Sequence, residues 1–449
     1  MQVLKQLEHG TSTEQLVYQF DLKQLEKFGA QGEVPPITEA IKVESFSDQY
    51  VLSPQVSIAF RPLSDILRLP KHSVLYRGFD AVLDDMMERD TLTTNSGWNL
   101  FTRRSTVRRE SVIQAKNGEA WTFPAIILFR QYNGKLRVVW MYPMSMNLLE
   151  YQSTQPLQDV IGKSTRYVEP WKGFEDVKIR FTELWKRHPY AFGGDTTAMD
   201  AHMQTQQLTA VADAVADLFK DPTQMRNSLM HVSEIDMVVG TDAIIRDQIH
   251  GIASGSGWTQ LSETIFQICQ FDAYIRSRNL NLTVDDGMGI GDDYVWFFDD
   301  PVDSEDIVDF WEKVGLPGKP EKQSNAADHC TFLQRLFVKG YYSRDNKQVL
   351  GGVYPTIRAL NSLLNPEKYH NPKDWNSDMF CIRCYMILEN VVDHPLFEQF
   401  VRFVVKGQKD LLPFAKKSAS ALRQIQKKAR LIPGLTPSYN QEKREKPLS

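Results

Sequence analysis

Residues 284–298 constrain this chain more than any other segment: Gly291-Asp292-Asp293 stands between two apolar stretches. Such a pattern reads as strand, tight turn, strand, with the acidic pair at the tip. Two negative charges crowded onto one turn repel each other, so the turn is costly unless a cation sits there. A divalent metal bound to substrate phosphates suits hard carboxylate oxygens. Asp and Gly are equally ordinary turn residues, so a metal site needs further parts from elsewhere in the chain.

At 449 residues the chain can form two or three ordinary domains, or one large protein with subdomains. Hydrophobic content of 42% and charged content of 24% are those of a water-soluble globular protein. No apolar run approaches the ~18 residues of a membrane span, and residues 1–6 lack the apolar core of a secretory signal. Four cysteines make no disulfide framework, which predicts a reducing compartment. The net charge of −4 hides an asymmetry. Residues 401–449 carry 12 Lys and Arg against 3 Asp and Glu, whereas residues 281–310 hold 10 carboxylates and no Lys or Arg. A basic end and an acidic centre fit a polyanion held in one place and cations in another. They equally fit a solvated helix and acidic loops.

Pro35-Pro36 is a break. Arg103, Arg104, Arg108 and Arg109 make residues 96–115 basic. Residues 123–129 read as a buried strand, Asn133-Gly134 as a hairpin turn and residues 136–140 as the returning strand. Helices are predicted over 201–219, 258–278 and 304–314, the last ended by Gly315, and over most of 376–430. Residues 332–337 read as a core strand with one outward Arg, and the polar tail from Pro433 as disordered. The fold class is therefore α+β, with a strand-rich middle and a helical C-terminal part.

Asp195 and Asp200 stand five residues apart, before a helical stretch, where both could face one cleft, although Asp also caps helices well. Residues 251–259, with Ser254, Gly255 and Thr259, form a small-residue loop before a helix. Such a loop lets backbone N–H groups approach a phosphate or sugar, or it is simply a linker. Lys135 and Arg137 share one strand face, with Arg130 on the facing strand. They suit a phosphate clamp or a solvent-facing edge. Lys322, followed by the run Phe332–Phe337 with Arg335, completes the set. Asp285-Asp286 lies away from the tip. Cys381-x2-Cys384 has no second Cys/His pair at finger spacing, and His250 reads as a packing residue.

The order of these features resembles that of viral RNA-dependent RNA polymerases. The basic hairpin (Arg130, Lys135, Arg137) resembles motif F and Asp195/Asp200 motif A. Ser254-Gly255-x3-Thr259 resembles motif B, Gly291-Asp292-Asp293 motif C, Lys322 the motif D lysine and residues 332–337 motif E. The style is similar to the picornavirus-like branch, and within it to the picobirnavirus and partitivirus enzymes of double-stranded RNA viruses. Glu263 stands where many positive-strand enzymes have a ribose-selecting Asn, which leaves its part in sugar recognition open. The chain is also short for a picobirnavirus enzyme.

The resemblance implies a cupped right hand of fingers, palm and helical thumb. It assigns residues 1–95 to fingertips and a fingers–thumb bridge, 96–188 to fingers and 189–218 to palm. Residues 219–253 become a fingers insertion, 254–340 the rest of the palm, 341–432 thumb and 433–449 a tail. It implies nucleotidyl transfer with two Mg²⁺ ions, for which Mn²⁺ can substitute, held by Asp195 and Asp292 with Asp293 as a weaker or outer ligand. Asp200, Ser254, Gly255, Thr259 and Glu263 would meet the incoming nucleotide. Lys135 and Arg137 would neutralise its triphosphate, Lys322 or its rival Lys319 would protonate pyrophosphate, and Arg335 would lie near the primer backbone. Partners would be RNA template, product duplex, ribonucleoside triphosphates and a viral capsid protein, in the host cytoplasm and inside the particle. The rivals are a reverse transcriptase, whose motif normally has an aromatic residue before x-Asp-Asp, and a non-enzymatic RNA-binding protein.

Overall fold

The computed structural model describes residues 2–33, 54–89, 91–240, 243–366, 370–430, 432 and 435. The break at Pro35-Pro36 and the polar tail lie outside the described residues, Leu435 excepted. In chain order the elements that position the site begin with α1 (Ser12–Leu22), β1 (Gly32–Glu33), β2 (Ala125–Tyr132) and β3 (Lys135–Met141). Next come α2 (Met144–Ser164), α3 (Phe174–Arg187), β4 (Tyr190–Gly194), α4 (Thr205–Val215), β5 (Met237–Val239) and β6 (Ala243–Ile245). They are followed by α5 (Thr259–Ser277), β7 (Gly287–Ile290), β8 (Asp293–Phe298), α6 (Ser304–Glu312), β9 (His329–Phe332) and β10 (Arg335–Val338). Last come α7 (Thr356–Leu364), α8 (Ser377–Asn390), α9 (Phe397–Gly407) and α10 (Ala419–Arg430).

The central sheet is antiparallel in the order β4-β8-β7. Its strands read as continuous apolar runs because both faces are covered. Along β8, Val295 and Phe297 join the cluster formed with Phe181 of α3 and Phe332 and Phe337 of the β9–β10 hairpin. The alternating Tyr294, Trp296 and Phe298 join the larger core behind the sheet. There Trp296 stacks on Phe271 of α5, with ring centroids 4.5 Å apart. Adjacent side chains of a strand point to opposite faces, so Ala191 and Phe192 of β4 divide in the same way.

The second sheet pairs β1, β2, β5 and β6 in that order, with β3 on the other side of β2's hairpin. Asn133 and Gly134 both have positive φ (50° and 71°), as a two-residue hairpin of this twist requires. The helices α8, α9 and α10 surround a separate apolar cluster that contains the buried thiols of Cys381 and Cys384.

Two expectations change. The helix predicted over 201–219 is broken. Gln204 adopts an extended conformation and caps α4 reciprocally with Gln207, so a short helix, Met199–His202, precedes it. Residues 332–337 form no single strand. Leu333 and Gln334, both at positive φ, turn the chain between β9 and β10.

Arg335 points inward rather than outward. Its guanidinium donates to the Asn390 carbonyl at 2.6 Å and to Asn390 Oδ1 at 2.8 Å, and it lies 3.9 Å above the Phe174 ring. Arg335→Ala should therefore lower folding stability by about 3 kcal/mol, because buried charged hydrogen bonds are lost and their acceptors orphaned. Denaturant unfolding checks this, and RNA affinity of the folded fraction should be unchanged.

Candidate active site

The hairpin tip is built by its glycine. Gly291 has φ 61°, which glycine adopts without strain at the first position of such a turn. Its N–H donates to Thr264 Oγ1 at 2.9 Å, pinning the turn to α5. Strand pairing then gathers the acids. Gly194 pairs with Tyr294, so the next residue of each strand, Asp195 and Asp293, faces the other, with Asp292 beside them on the turn.

The electrostatics follow from this crowding. Asp292 keeps solvent access yet is surrounded by protein. Desolvation, then repulsion by Asp293 and Asp200, pushes its carboxyl above the ordinary range, and Arg137 pulls it back. Desolvation and Asp195 raise Asp293, while Arg358 opposes them. Glu263, buried in α5, is pushed well above the usual carboxylate range by burial and by Asp200 and Asp292. It shares a hydrogen bond with Asp200, and its Oε1 has no hydrogen-bond partner.

The remaining expected residues converge unevenly. Lys135 and Arg137 are exposed, Arg130 pairs across from Arg137, and Arg137 acts on Asp292, so the hairpin lies within reach of the acids. The loop carrying Ser254, Gly255 and Thr259 reaches Asp200, whose carbonyl accepts from Ile252 N–H at 2.8 Å. Thr259 Oγ1 donates to the Ala253 carbonyl at 2.6 Å, and Ser254 Oγ accepts from Trp140 N–H at 3.2 Å. Lys322 and Lys319 are exposed on the loop 315–324, which adds to β4 through a bridge between Gly193 and Ser324.

Arg335 is turned inward onto Asn390, as above, and three residues that the sequence sets apart from the site lie elsewhere. Asp285 accepts from Thr165 Oγ1 at 2.6 Å, and Asp286 lies 3.0 Å from His188 Nε2. Both stand before β7 and not at the tip. His250 is buried, with Nδ1 2.6 Å from the Gly251 carbonyl and Nε2 3.0 Å from that of Ile235.

Three residues escaped the sequence reading. Gln323 accepts from Asp195 N–H at 2.8 Å and returns a bond from Nε2 to the Asp195 carbonyl at 3.1 Å, clasping that aspartate's backbone. Lys27 packs beneath the β2–β3 turn, where a Cβ on Gly134 would come within 3.0 Å of its Cα. Partial burial, then Arg358, Lys135 and Arg137, depress the Lys27 ammonium, and Asp195 opposes them. Arg358 of α7 donates to Tyr132 Oη at 3.4 Å. Nothing local in sequence marks Lys27 or Arg358, because each is brought in by a distant segment.

All the donors at this centre are carboxylate oxygens, which suit a hard divalent cation. Among the described residues no three His, Cys, Asp or Glu side chains already converge as a metal-binding group. Mg²⁺ here would therefore draw on substrate phosphates and water to complete its shell.

The fold that carries this acidic centre and basic hairpin is that of a right-hand polymerase. Residues 132–350 match the model of the viral RNA-dependent RNA polymerase family. That segment includes every expected site residue except Arg130. The chain is 29% identical over 344 residues to a potential RNA-dependent RNA polymerase of human picobirnavirus (strain Human/Thailand/Hy005102/-), covering 71% of this chain. It spans 63% of that relative's length. The crystal structure of the RNA-dependent RNA polymerase of a human picobirnavirus superimposes with a TM-score of 0.80 at 23% identity, over 95% of this chain and 84% of that one. An insertion-loop deletion mutant of such an enzyme gives 0.76, also at 23%, over 96% and 87%. Among the described residues no helix is long and apolar enough to cross a membrane.

A carboxyl whose folded value lies above its ordinary 3.8 favours the fold only while it is protonated. That contribution is present at low pH and lost as pH rises through the raised value. In EDTA, Asp292→Asn should therefore be more stable than the unsubstituted chain at about pH 8, by an amount that solvent screening of this exposed side chain keeps small, and the gap should close toward about pH 4. Thermal melting across that range measures it.

Proposed function

We propose that the chain is an RNA-directed RNA polymerase that copies a viral RNA genome. One observation carries the reading: strand pairing sets Asp195 against Asp293, with Asp292 on the adjoining turn. A cationic hairpin lies above these acids, and a small-residue loop is tied to Asp200.

Asp195 and Asp292 would hold two Mg²⁺ ions, or Mn²⁺, with Asp293 an outer ligand; when bound, the ions make the RNA 3′-hydroxyl acidic and neutralise phosphate charge. The chain's own groups supply positioning, which phosphoryl transfer chiefly needs. Lys135 and Arg137 hold the triphosphate. Asp200 accepts a hydrogen bond from the ribose of the incoming nucleotide, with Ser254 and Thr259 beside it, and Lys322 or Lys319 gives a proton to the departing pyrophosphate. Residues 189–218 and 254–340 serve as palm on this proposal, residues 341–432 as thumb, and the basic α10 grips product duplex by its phosphates. Template, product and ribonucleoside triphosphates are its partners, in the host cytoplasm and within the particle beside capsid protein.

The test is extension of short RNA templates by the purified chain with Mg²⁺ and ribonucleoside triphosphates, with and without primer. Asp292→Ala should lower extension at least ~10³-fold, as loss of a group that stabilises charge in the transition state does. Extension by that variant at the unsubstituted rate would sink the assignment. Preference for deoxynucleotides would favour a reverse transcriptase instead. Arg137→Ala should raise KM for nucleotide about tenfold, with a smaller change in kcat.

A further inference from the structure

One buried carboxylate clasps the 251–257 loop from behind. Glu150 lies on α2 with no solvent exposure. Its Oε1 accepts from the Ser256 hydroxyl, and its Oε2 accepts from Gly257 N–H at 2.8 Å and from Asn147 Nδ2 at 2.9 Å. Tyr142 adds a further hydrogen bond. Asn147, one helical turn away on the same face, also donates to the Gly255 carbonyl at 3.2 Å and is itself held by Arg104 at 2.8 Å.

The loop is pressed against these anchors. A Cβ on Gly255 would come 2.1 Å from the Trp140 carbonyl, and one on Gly257 would come 2.5 Å from the Tyr151 ring. Burying a carboxylate is costly unless its bonds are satisfied. Here two of the donors that satisfy it belong to the loop, and a third holds the loop's Gly255. At the other end, the Ile252 bond to the Asp200 carbonyl fixes the same loop to the acidic centre.

We propose that Glu150 is a positioning residue for sugar recognition: it holds the loop so that Ser254 and Thr259 present their hydroxyls beside Asp200. The inference rests on the polymerase reading. Glu150 touches no substrate in this role and acts only through the loop.

Three variants of the full chain test it: Glu150→Ala, Glu150→Gln and Ser256→Ala. Two measurements are made on each. Amide exchange over residues 254–258 reports the loop, and the ratio of ribonucleotide to deoxynucleotide incorporation, with KM and kcat for each, reports the sugar. In Glu150→Ala the Gly257 amide should exchange at least ~tenfold faster, and the ribose preference should fall about tenfold through KM for ribonucleotides. Ser256→Ala should shift both in the same direction by less. Glu150→Gln should stay near the unsubstituted chain, because its amide can still accept from Gly257 and Asn147 while donating to Ser256 Oγ.

An equal loss with both sugars at unchanged KM would overturn the proposal, as would an unchanged sugar ratio in a folded Glu150→Ala. If Glu150→Ala does not fold, Ser256→Ala decides by the same two readings. An unsubstituted chain that incorporates neither sugar overturns the sugar role together with the polymerase reading, while the exchange measurement still shows whether Glu150 holds the loop.

Discussion

Repulsion among carboxylates at one end of the β4-β8-β7 sheet is the constraint to which the rest of the molecule answers. Asp195, Asp292 and Asp293 are set together by strand pairing, and Asp200 and Glu263 close in from the side. A fold that places like charges so close must fix its backbone rigidly, or the charges would separate. Sheet pairing holds them on one side, Thr264 pins the Gly291 turn from α5, and Gln323 clasps Asp195 from the loop 315–324. Two packed faces of aromatic side chains keep β8 from shifting register, since a one-residue slip would exchange Val295 and Phe297 for Trp296 and Phe298.

Opposing charge arrives from parts of the chain far apart in sequence. The β2–β3 hairpin carries Lys135 and Arg137, the segment after α1 brings Lys27 under the hairpin's turn, and α7 brings Arg358 to Tyr132. Gly29 N–H donates to Asn361 Oδ1 of α7 at 3.0 Å, and β1 pairs with β2, so one N-terminal segment links the hairpin to α7. The cationic side of the site is therefore an assembly of three elements. The small-residue loop is likewise held from a fourth, through Glu150 and Asn147 of α2.

Much of this was legible where local chemistry is decisive. The Gly-Asp-Asp turn, the Asn-Gly hairpin and the helix α5 all stand close to where residue pattern puts them, because turn geometry and apolar periodicity are properties of neighbouring residues. The order of the acidic, small-residue and basic segments pointed to the polymerase family for the same reason. Arg335 was misread because a charged residue in a strand defaults to an outward position. Only the approach of Asn390 and Phe174, 55 and 161 residues away in sequence, makes an inward one favourable. The break before α4 was missed because Gln204 is no standard cap, and its reciprocal bond with Gln207 shows only once the helix exists.

The amino-acid sequence by itself determined the α+β class, the acidic hairpin, the basic hairpin and the residue types of the site, since each rests on contacts between near neighbours. Tertiary structure alone decided which carboxylates face one another and which cations oppose them. It also decided that Gln323 and Glu150 serve as clasps and that Arg335 is an internal brace. Such choices depend on electrostatics and hydrogen bonds between groups tens to hundreds of residues apart, and no local pattern encodes their meeting.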